Sequence, residues 1–221
     1  PTASRATIGG MIANNSSGSH VPVYGTTADH LAALDIVLAD GRIETIGPGQ
    51  PALGAQRERI GRLVREHADA IADRMPPGLL KRWPGYGLDR YLRDSDNLNH
   101  IVSASEGTLA AIVSAQLKIV PLPRHKGVGM IFFASVAEAM QATVALLDLK
   151  PAAIEHIDRV LFDQTRGQLP FKAARDLLDL DAQPCESILI VEFFDDVADR
   201  LAALASRKLG RRTMILQGPA E

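Results

Sequence analysis

The segment Pro121-Leu122-Pro123 divides the sequence into two parts that differ in the order of their apolar segments. Two prolines separated by a single residue end a strand, because proline donates no backbone hydrogen bond. After this segment the pattern predicts strand, helix, strand, and the same order returns later in the chain. The predicted strands are Val128–Ala134, Ala152–Ile157, Ser187–Phe194 and Thr213–Leu216, and the predicted helices are Val136–Leu147, Asp158–Arg166 and Val197–Leu209. We therefore expect two domains, residues 1–122 and 123–221, the second with helices packed on a sheet in an α+β arrangement.

The first part of the chain is rich in loops and contains one strong hairpin signal. Asp40-Gly41 separates a predicted strand, Leu31–Ala39, from its return strand, Arg42–Ile46. A single long helix is predicted at Ala55–Met75, with His67 on its apolar face. A short helix is predicted at 106–112, followed by a strand at 113–120.

Composition excludes several classes of protein. The hydrophobic fraction is 46%, which is too high for a disordered chain. Lys and Arg total 24 against 26 Asp and Glu, so a nucleic-acid or anionic-membrane partner is not expected. The sequence has no apolar run of the roughly 18 to 20 residues that span a bilayer. A single cysteine is typical of cytoplasmic proteins, and a cytoplasmic location is expected. The single cysteine and the scattered histidines predict no iron-sulfur cluster and no metal site within these residues.

The first candidate site is the loop from Thr7 to Gly18. The pair Gly9-Gly10 allows backbone N–H groups to approach an anion closely, and Asn14 and Ser17 add neutral donors. This chemistry suits a pyrophosphate, although a tight turn capped by Asn and Ser accounts for the same residues. The loop has neither the Gly-Lys-Ser/Thr of a Walker A motif nor the spacing of the usual dinucleotide fingerprint.

The second candidate site is the segment 103–109. If Gly107 opens a helix, the N–H groups of Gly107 and Thr108 are free donors, and Glu106 can accept from a ribose hydroxyl. The alternative is a capping box formed by Ser103 and Glu106, which has no ligand. Both interpretations stay open at this point.

Four segments, taken in order, resemble one family. Ala6–Gly41 and Leu98–Pro123 are similar to the second half of the FAD-binding (PCMH-type) domain of the vanillyl-alcohol-oxidase family. Lys81–Leu92 resembles a linker motif, and Pro151–Asp158 resembles the start of the substrate (cap) domain, of its FAD-linked 2-hydroxy-acid dehydrogenases. That group includes glycolate oxidase flavin subunits, D-lactate dehydrogenases and D-2-hydroxyglutarate dehydrogenases. The resemblance implies an α+β fold: the second half of the FAD-binding domain, followed by the start of an α+β cap domain.

The resemblance also implies a function. It implies an FAD-dependent oxidoreductase that oxidises a small 2-hydroxy acid by hydride transfer to the flavin and passes the electrons to an acceptor. The family's first glycine-rich loop would precede Pro1 and its histidine-rich motif would follow Glu221, so we expect an internal fragment that is inactive alone and binds FAD weakly or not at all. No catalytic residue is assigned for the same reason. Alternatives are a phenol or alcohol oxidase or an ether-lipid synthase of the same fold, and an inert association module that forms a homodimer.

The resemblance transfers cofactor roles to positions in both loops. The residues expected to line the pyrophosphate and ribityl region of FAD are Thr7, Ile8, Gly9, Gly10, Ala13, Asn14, Ser17 and Gly18. Tyr24 is expected near the flavin. Glu106, Gly107 and Ile112 are expected to meet the adenosine half, largely through backbone groups, and Val113 is expected to add a backbone contact.

Overall fold

The computed structural model describes residues 4–79, 81 and 85–217, and it divides the chain into two compact units. The first unit is residues 1–120 and the second is residues 121–221, so the division falls at the start of the Pro121–Pro123 segment. Arg82, Trp83 and Pro84 of the linker-like motif lie outside the described residues. None of the helices in the described part of the chain is both long enough and apolar enough to cross a membrane.

The first unit is built on a three-stranded antiparallel sheet with the strand order β2-β1-β3. Its strands are β1 (Leu31–Val37), β2 (Ile43–Ile46) and β3 (Ala111–Leu117), and its helices are α1 (Ile8–Ala13), α2 (Val21–Tyr24), α3 (Gly54–Glu66), α4 (Ala68–Arg74), α5 (Leu88–Arg93) and α6 (Asn99–Val102), with a 3₁₀ turn at Thr27–His30. The predicted Asp40-Gly41 hairpin is confirmed, because β1 pairs with β2 and Gly41 has a φ of +85°. Leu34 and Ile36 of β1 are buried in the core of this unit with Ile12 of α1, so the sheet holds α1 in place.

The single helix predicted at 55–75 is wrong, because the chain forms α3 and α4 with a break at His67. His67 has a non-helical backbone (φ −112°, ψ 17°) and an exposed side chain, so its predicted burial is also wrong. Val64 of α3 and Ile71 of α4 are the buried apolar residues of these two helices, and they lie seven residues apart. Two turns of helix separate them, so the apolar pattern continues across the break and the sequence alone does not reveal it.

The second unit contains a four-stranded antiparallel sheet with the order β5-β6-β4-β7. Two strand-helix-strand segments form this sheet. Its strands are β4 (Lys126–Phe133), β5 (Ala153–Asp158), β6 (Ser187–Phe194) and β7 (Arg212–Gln217), and its helices are α7 (Val136–Leu146), α8 (Arg159–Asp163), α9 (Leu169–Leu177) and α10 (Val197–Ser206), with a 3₁₀ turn at Leu147–Leu149. This connectivity is the split strand-helix-strand motif, and it confirms the α+β prediction.

The two faces of the second sheet are covered differently. Alternate residues Ile131 and Phe133 of β4 pack against α7 and α10. The residues between them, Met130 and Phe132, pack against Phe162 and the segment that follows α9. The prediction placed helices on the sheet but missed α9, whose large apolar residues Leu169, Phe171 and Leu177 are exposed.

Candidate functional site

Thr7 starts helix α1 by capping its first turn. The Thr7 backbone is extended, and its Oγ1 accepts a hydrogen bond from the N–H of Gly10 at 3.1 Å. The first N–H groups of any helix have no acceptor within the helix. The N–H groups of Ile8 and Gly9 are therefore directed out of the helix start, where Ile8 is 52% exposed. This end of α1 offers donors to an anion.

The glycines of this segment, Gly9, Gly10 and Gly18, have different surroundings. A Cβ on Gly10 would lie 3.0 Å from Thr7 Oγ1, so a larger residue there would press on the capping hydroxyl. A Cβ on Gly9 or Gly18 would meet nothing within 4 Å, and neither residue has a positive φ. A glycine within a helix lowers the free energy of unfolding by about 0.5–1 kcal/mol relative to alanine. No packing contact of the described residues explains why position 9 is a glycine. Open space at both glycines fits a bound group that approaches the backbone closely.

The loop after α1 is fixed by hydrogen bonds to the 3₁₀ turn. Asn15 is left-handed (φ 47°), and its Oδ1 accepts from the N–H of Ala28 at 2.9 Å. The carbonyl oxygen of Ser16 accepts from both the N–H and the Oγ1 of Thr27, at 3.0 and 2.7 Å. Asn14 and Ser17 are exposed, and the side-chain amide of Asn14 donates to Ser16 Oγ at 3.2 Å. Sequence reasoning missed Asn15, although asparagine tolerates left-handed backbone well.

The turn that follows is held by a partly buried ion pair that sequence reasoning also missed. Asp29 Oδ2 accepts from the N–H of Thr26 at 2.7 Å and from its hydroxyl at 2.8 Å. Asp29 Oδ1 pairs with Arg90 of α5 at 2.5 Å, and the Arg90 side chain is only 13% exposed. The two residues are far apart in the sequence, so no local signal indicates their contact.

The short helix predicted at 106–112 is wrong, and Gly107 does not open a helix. Residues 103–109 form consecutive turns, and β3 begins at Ala111. Ala104, Glu106 and Gly107 have φ values of 65°, 53° and 77°, which are left-handed and incompatible with a right-handed helix. For the same reason the Ser103–Glu106 capping box does not form. The donors of this segment come from a strained turn, which we call the cofactor turn (residues 103–109).

The structure brings the two predicted loops together. The N–H of Ala104 donates to the carbonyl oxygen of Ile12 at 3.1 Å, and the N–H of Glu106 donates to that of Ala13 at 2.9 Å. The end of α1 is thus bonded directly to the cofactor turn. Four residues of helix advance about 6 Å, so the donors at Gly9 lie within about 10 Å of this junction. The two predicted segments are therefore neighbours in the first unit, joined at the C-terminal end of α1, and the N–H groups of Ile8 and Gly9 lie at the other end of this short helix.

Tyr24, Ile112 and Val113 were also predicted to contact the cofactor. Tyr24 ends α2, where its carbonyl oxygen accepts from His30 Nε2 at 2.8 Å and its ring meets the edge of His20. The side chain of Ile112 packs on the core, and Ile112 pairs with Ile36 of β1 in the sheet. Val113, next to it on β3, is 62% exposed. In the described part of the chain, no three His, Cys, Asp or Glu side chains are grouped to hold a metal ion.

Backbone N–H groups and neutral side chains of this kind are the donors expected at a site for an anionic, nucleotide-like cofactor. A model of the FAD binding domain matches residues 1–47, and a model of the C-terminal domain of FAD linked oxidases matches residues 122–215. The chain therefore matches two domains of FAD-linked oxidases, a family whose cofactor is FAD. The fold predicted from the resemblance is confirmed.

Curated relatives and solved structures agree with this assignment. The chain is 28% identical to D-2-hydroxyglutarate dehydrogenase of Escherichia coli (strain K12), over 93% of this chain and 22% of that protein. It is 29% identical to D-lactate dehydrogenase of Archaeoglobus fulgidus, over 72% of this chain and 27% of that protein. The chain thus spans about a quarter or less of these relatives. An alkyldihydroxyacetonephosphate synthase structure is 18% identical with a TM-score of 0.59, over 98% of this chain and 34% of that one, which shows the fold.

Proposed function

We propose that the chain is part of a longer FAD-dependent oxidoreductase that oxidises a small D-2-hydroxy acid to the 2-oxo acid. Two relatives named for their substrates, D-2-hydroxyglutarate and D-lactate dehydrogenase, support this substrate class. In this proposal residues 1–122 are the later part of the FAD-binding domain, and residues 123–221 are the first part of the cap domain. The observation that carries the proposal is the direct bonding of the end of α1 to the cofactor turn.

The residues of the first unit would hold FAD chiefly through backbone donors. The N–H groups of Ile8, Gly9 and Gly107 would donate to cofactor oxygens, and the open space at Gly9 and Gly18 would admit the cofactor. The full set proposed to bind FAD is Thr7, Ile8, Gly9, Gly10, Ala13, Asn14, Ser17, Gly18, Tyr24, Glu106, Gly107, Ile112 and Val113. Neutral donors suit a pyrophosphate because each backbone N–H bonds an anionic oxygen without needing a buried counter-charge.

When bound, FAD supplies the acceptor for the two electrons that leave the substrate. The residues described above fix the position of the cofactor, and none of them is assigned as the base that takes the hydroxyl proton. The final electron acceptor would be a second molecule.

Substrate-dependent dye reduction by the full-length gene product tests this proposal. We expect D-2-hydroxy acids to reduce an artificial dye, and their L-enantiomers, simple alcohols and phenols to be much poorer substrates. Faster reduction by an alcohol or a phenol would contradict the proposed substrate class and leave the family assignment intact. Absence of reduction by every compound, in a protein that contains flavin, would contradict the oxidoreductase proposal itself.

A further inference from the structure

The peptide bond between Ser105 and Glu106 is clamped at both ends. A trans peptide directs its C=O and its N–H in opposite directions. On one side, the N–H of Glu106 donates to the carbonyl oxygen of Ala13 at 2.9 Å. On the other side, the carbonyl oxygen of Ser105 accepts from the N–H of Thr108 at 3.0 Å and from its Oγ1 at 2.6 Å. The orientation of this peptide plane is therefore set by α1 and by Thr108 together.

A tyrosine outside the turn extends this arrangement. The hydroxyl of Tyr86 lies 2.9 Å from Thr108 Oγ1. A threonine hydroxyl has a single proton, and that proton is directed to the Ser105 carbonyl oxygen, which can only accept. The Tyr86 hydroxyl must therefore be the donor to Thr108. The hydrogen bonds run in one direction, from Tyr86 to Thr108 and then to the Ser105 carbonyl.

Two left-handed residues lie at or next to the clamped peptide. Ala104 precedes it with a φ of 65°, and Glu106 follows with a φ of 53°. Non-glycine residues adopt this conformation at an energetic cost, and it persists where surrounding contacts hold it. Such strain is concentrated at ligand clamps. The next N–H, that of Gly107, is exposed and has no acceptor among the described residues. The clamp thus fixes the direction of a free donor.

We propose that Tyr86 and Thr108 are positioning residues that hold the cofactor turn in the shape that binds FAD. This inference rests on the proposed function, since it assigns the free N–H of Gly107 to the cofactor. Neither residue needs to touch FAD, because both act through the Ser105 carbonyl. Tyr86 is 41% exposed, so the loss of its hydroxyl alone does not open a cavity.

The test uses the full-length gene product with the substitutions Tyr86→Phe and Thr108→Val, each of which removes one hydroxyl. Thr108→Ser retains the hydroxyl and serves as the rescue variant. Thr45→Val is the matched control, because Thr45 bonds to Asp35 at 2.7 Å on the outer strand β2 of the same unit. Hydrogen–deuterium exchange of peptides covering 103–109 reports the turn, FAD titration of the apoprotein reports affinity, and the melting temperature reports folding.

We expect Tyr86→Phe and Thr108→Val each to speed exchange at the turn and to weaken FAD binding by about fivefold, the effect of one neutral hydrogen bond. Thr108→Ser and Thr45→Val should leave both measurements and the melting temperature near those of the wild type. Unchanged FAD affinity in both test variants, with a wild type that binds FAD, would overturn this inference and leave the proposed function standing. A wild-type protein that does not bind FAD would contradict the proposed function and overturn the cofactor role of the turn. In that case hydrogen–deuterium exchange would report only whether the hydroxyls of Tyr86 and Thr108 hold the turn.

Discussion

Substituting Gly9 by alanine should make the protein more stable and, at the same time, a poorer FAD binder. Gly9 is the second residue of α1, its backbone is right-handed, and an added Cβ would meet no atom within 4 Å. Alanine is favoured over glycine in a helix by about 0.5–1 kcal/mol, and the free energy of unfolding should rise by up to that amount. If the cofactor occupies the open space beside Gly9, the same methyl group should weaken FAD binding at least about tenfold, which is about 1.4 kcal/mol.

Gly54→Ala provides the matched control for this experiment. Gly54 is the first residue of α3, and its added Cβ would also meet no atom within 4 Å, but it lies outside the proposed site. Chemical denaturation and FAD titration of both variants separate stability from binding. The control should gain similar stability and keep the wild-type affinity. A Gly9→Ala protein that binds FAD as tightly as the wild type would refute the argument that this glycine is kept for the cofactor.

Four further outcomes are expected. Gly129→Ala should lower the free energy of unfolding by about 1–3 kcal/mol in denaturation experiments, because its Cβ would lie 2.0 Å from Leu204 of α10. Hydrogen bonds from Asn97, the larger cause, and from His100 hold the pKa of Asp94 below its usual value. The ionised Asp94 carboxylate therefore stabilises the fold above the unfolded pKa of about 4, and this stabilisation is lost as pH falls through the folded pKa. Thermal melts should therefore lose less stability below pH 4 for Asp94→Asn than for the wild type. FAD titration of the 221-residue chain should give much weaker binding than the full-length gene product, and equal affinity would contradict the fragment proposal. Size-exclusion chromatography of the same chain should show a homodimer, and a monomer at all concentrations would reject that expectation.

Local signals in the sequence were enough to predict most of the second unit. Strand β6 was predicted with its observed bounds, because a short apolar run that begins after a polar loop is typical of a strand buried on both faces. The first hairpin followed from Gly41, whose positive φ a two-residue turn needs. These elements depend on residues that are neighbours in the chain, so the sequence contains the information.

The shape of the site depended on contacts that the sequence does not display. The spacing of Ser103 and Glu106 fits a capping box, yet hydrogen bonds to α1 select left-handed backbone at Ala104 and Glu106 instead. Those partners are about 90 residues away in the sequence, so propensity at the turn is overridden by tertiary contacts. The resemblance to a family identified both segments, and only the structure showed that they are bonded to each other.

Flavin content of the purified full-length gene product tests the central claim most directly. If the end of α1 and the cofactor turn form part of an FAD site, the protein should show flavin absorbance, with one FAD released per chain on denaturation. A correctly folded, full-length protein that contains no flavin and takes up none from added FAD would contradict the assignment of this site.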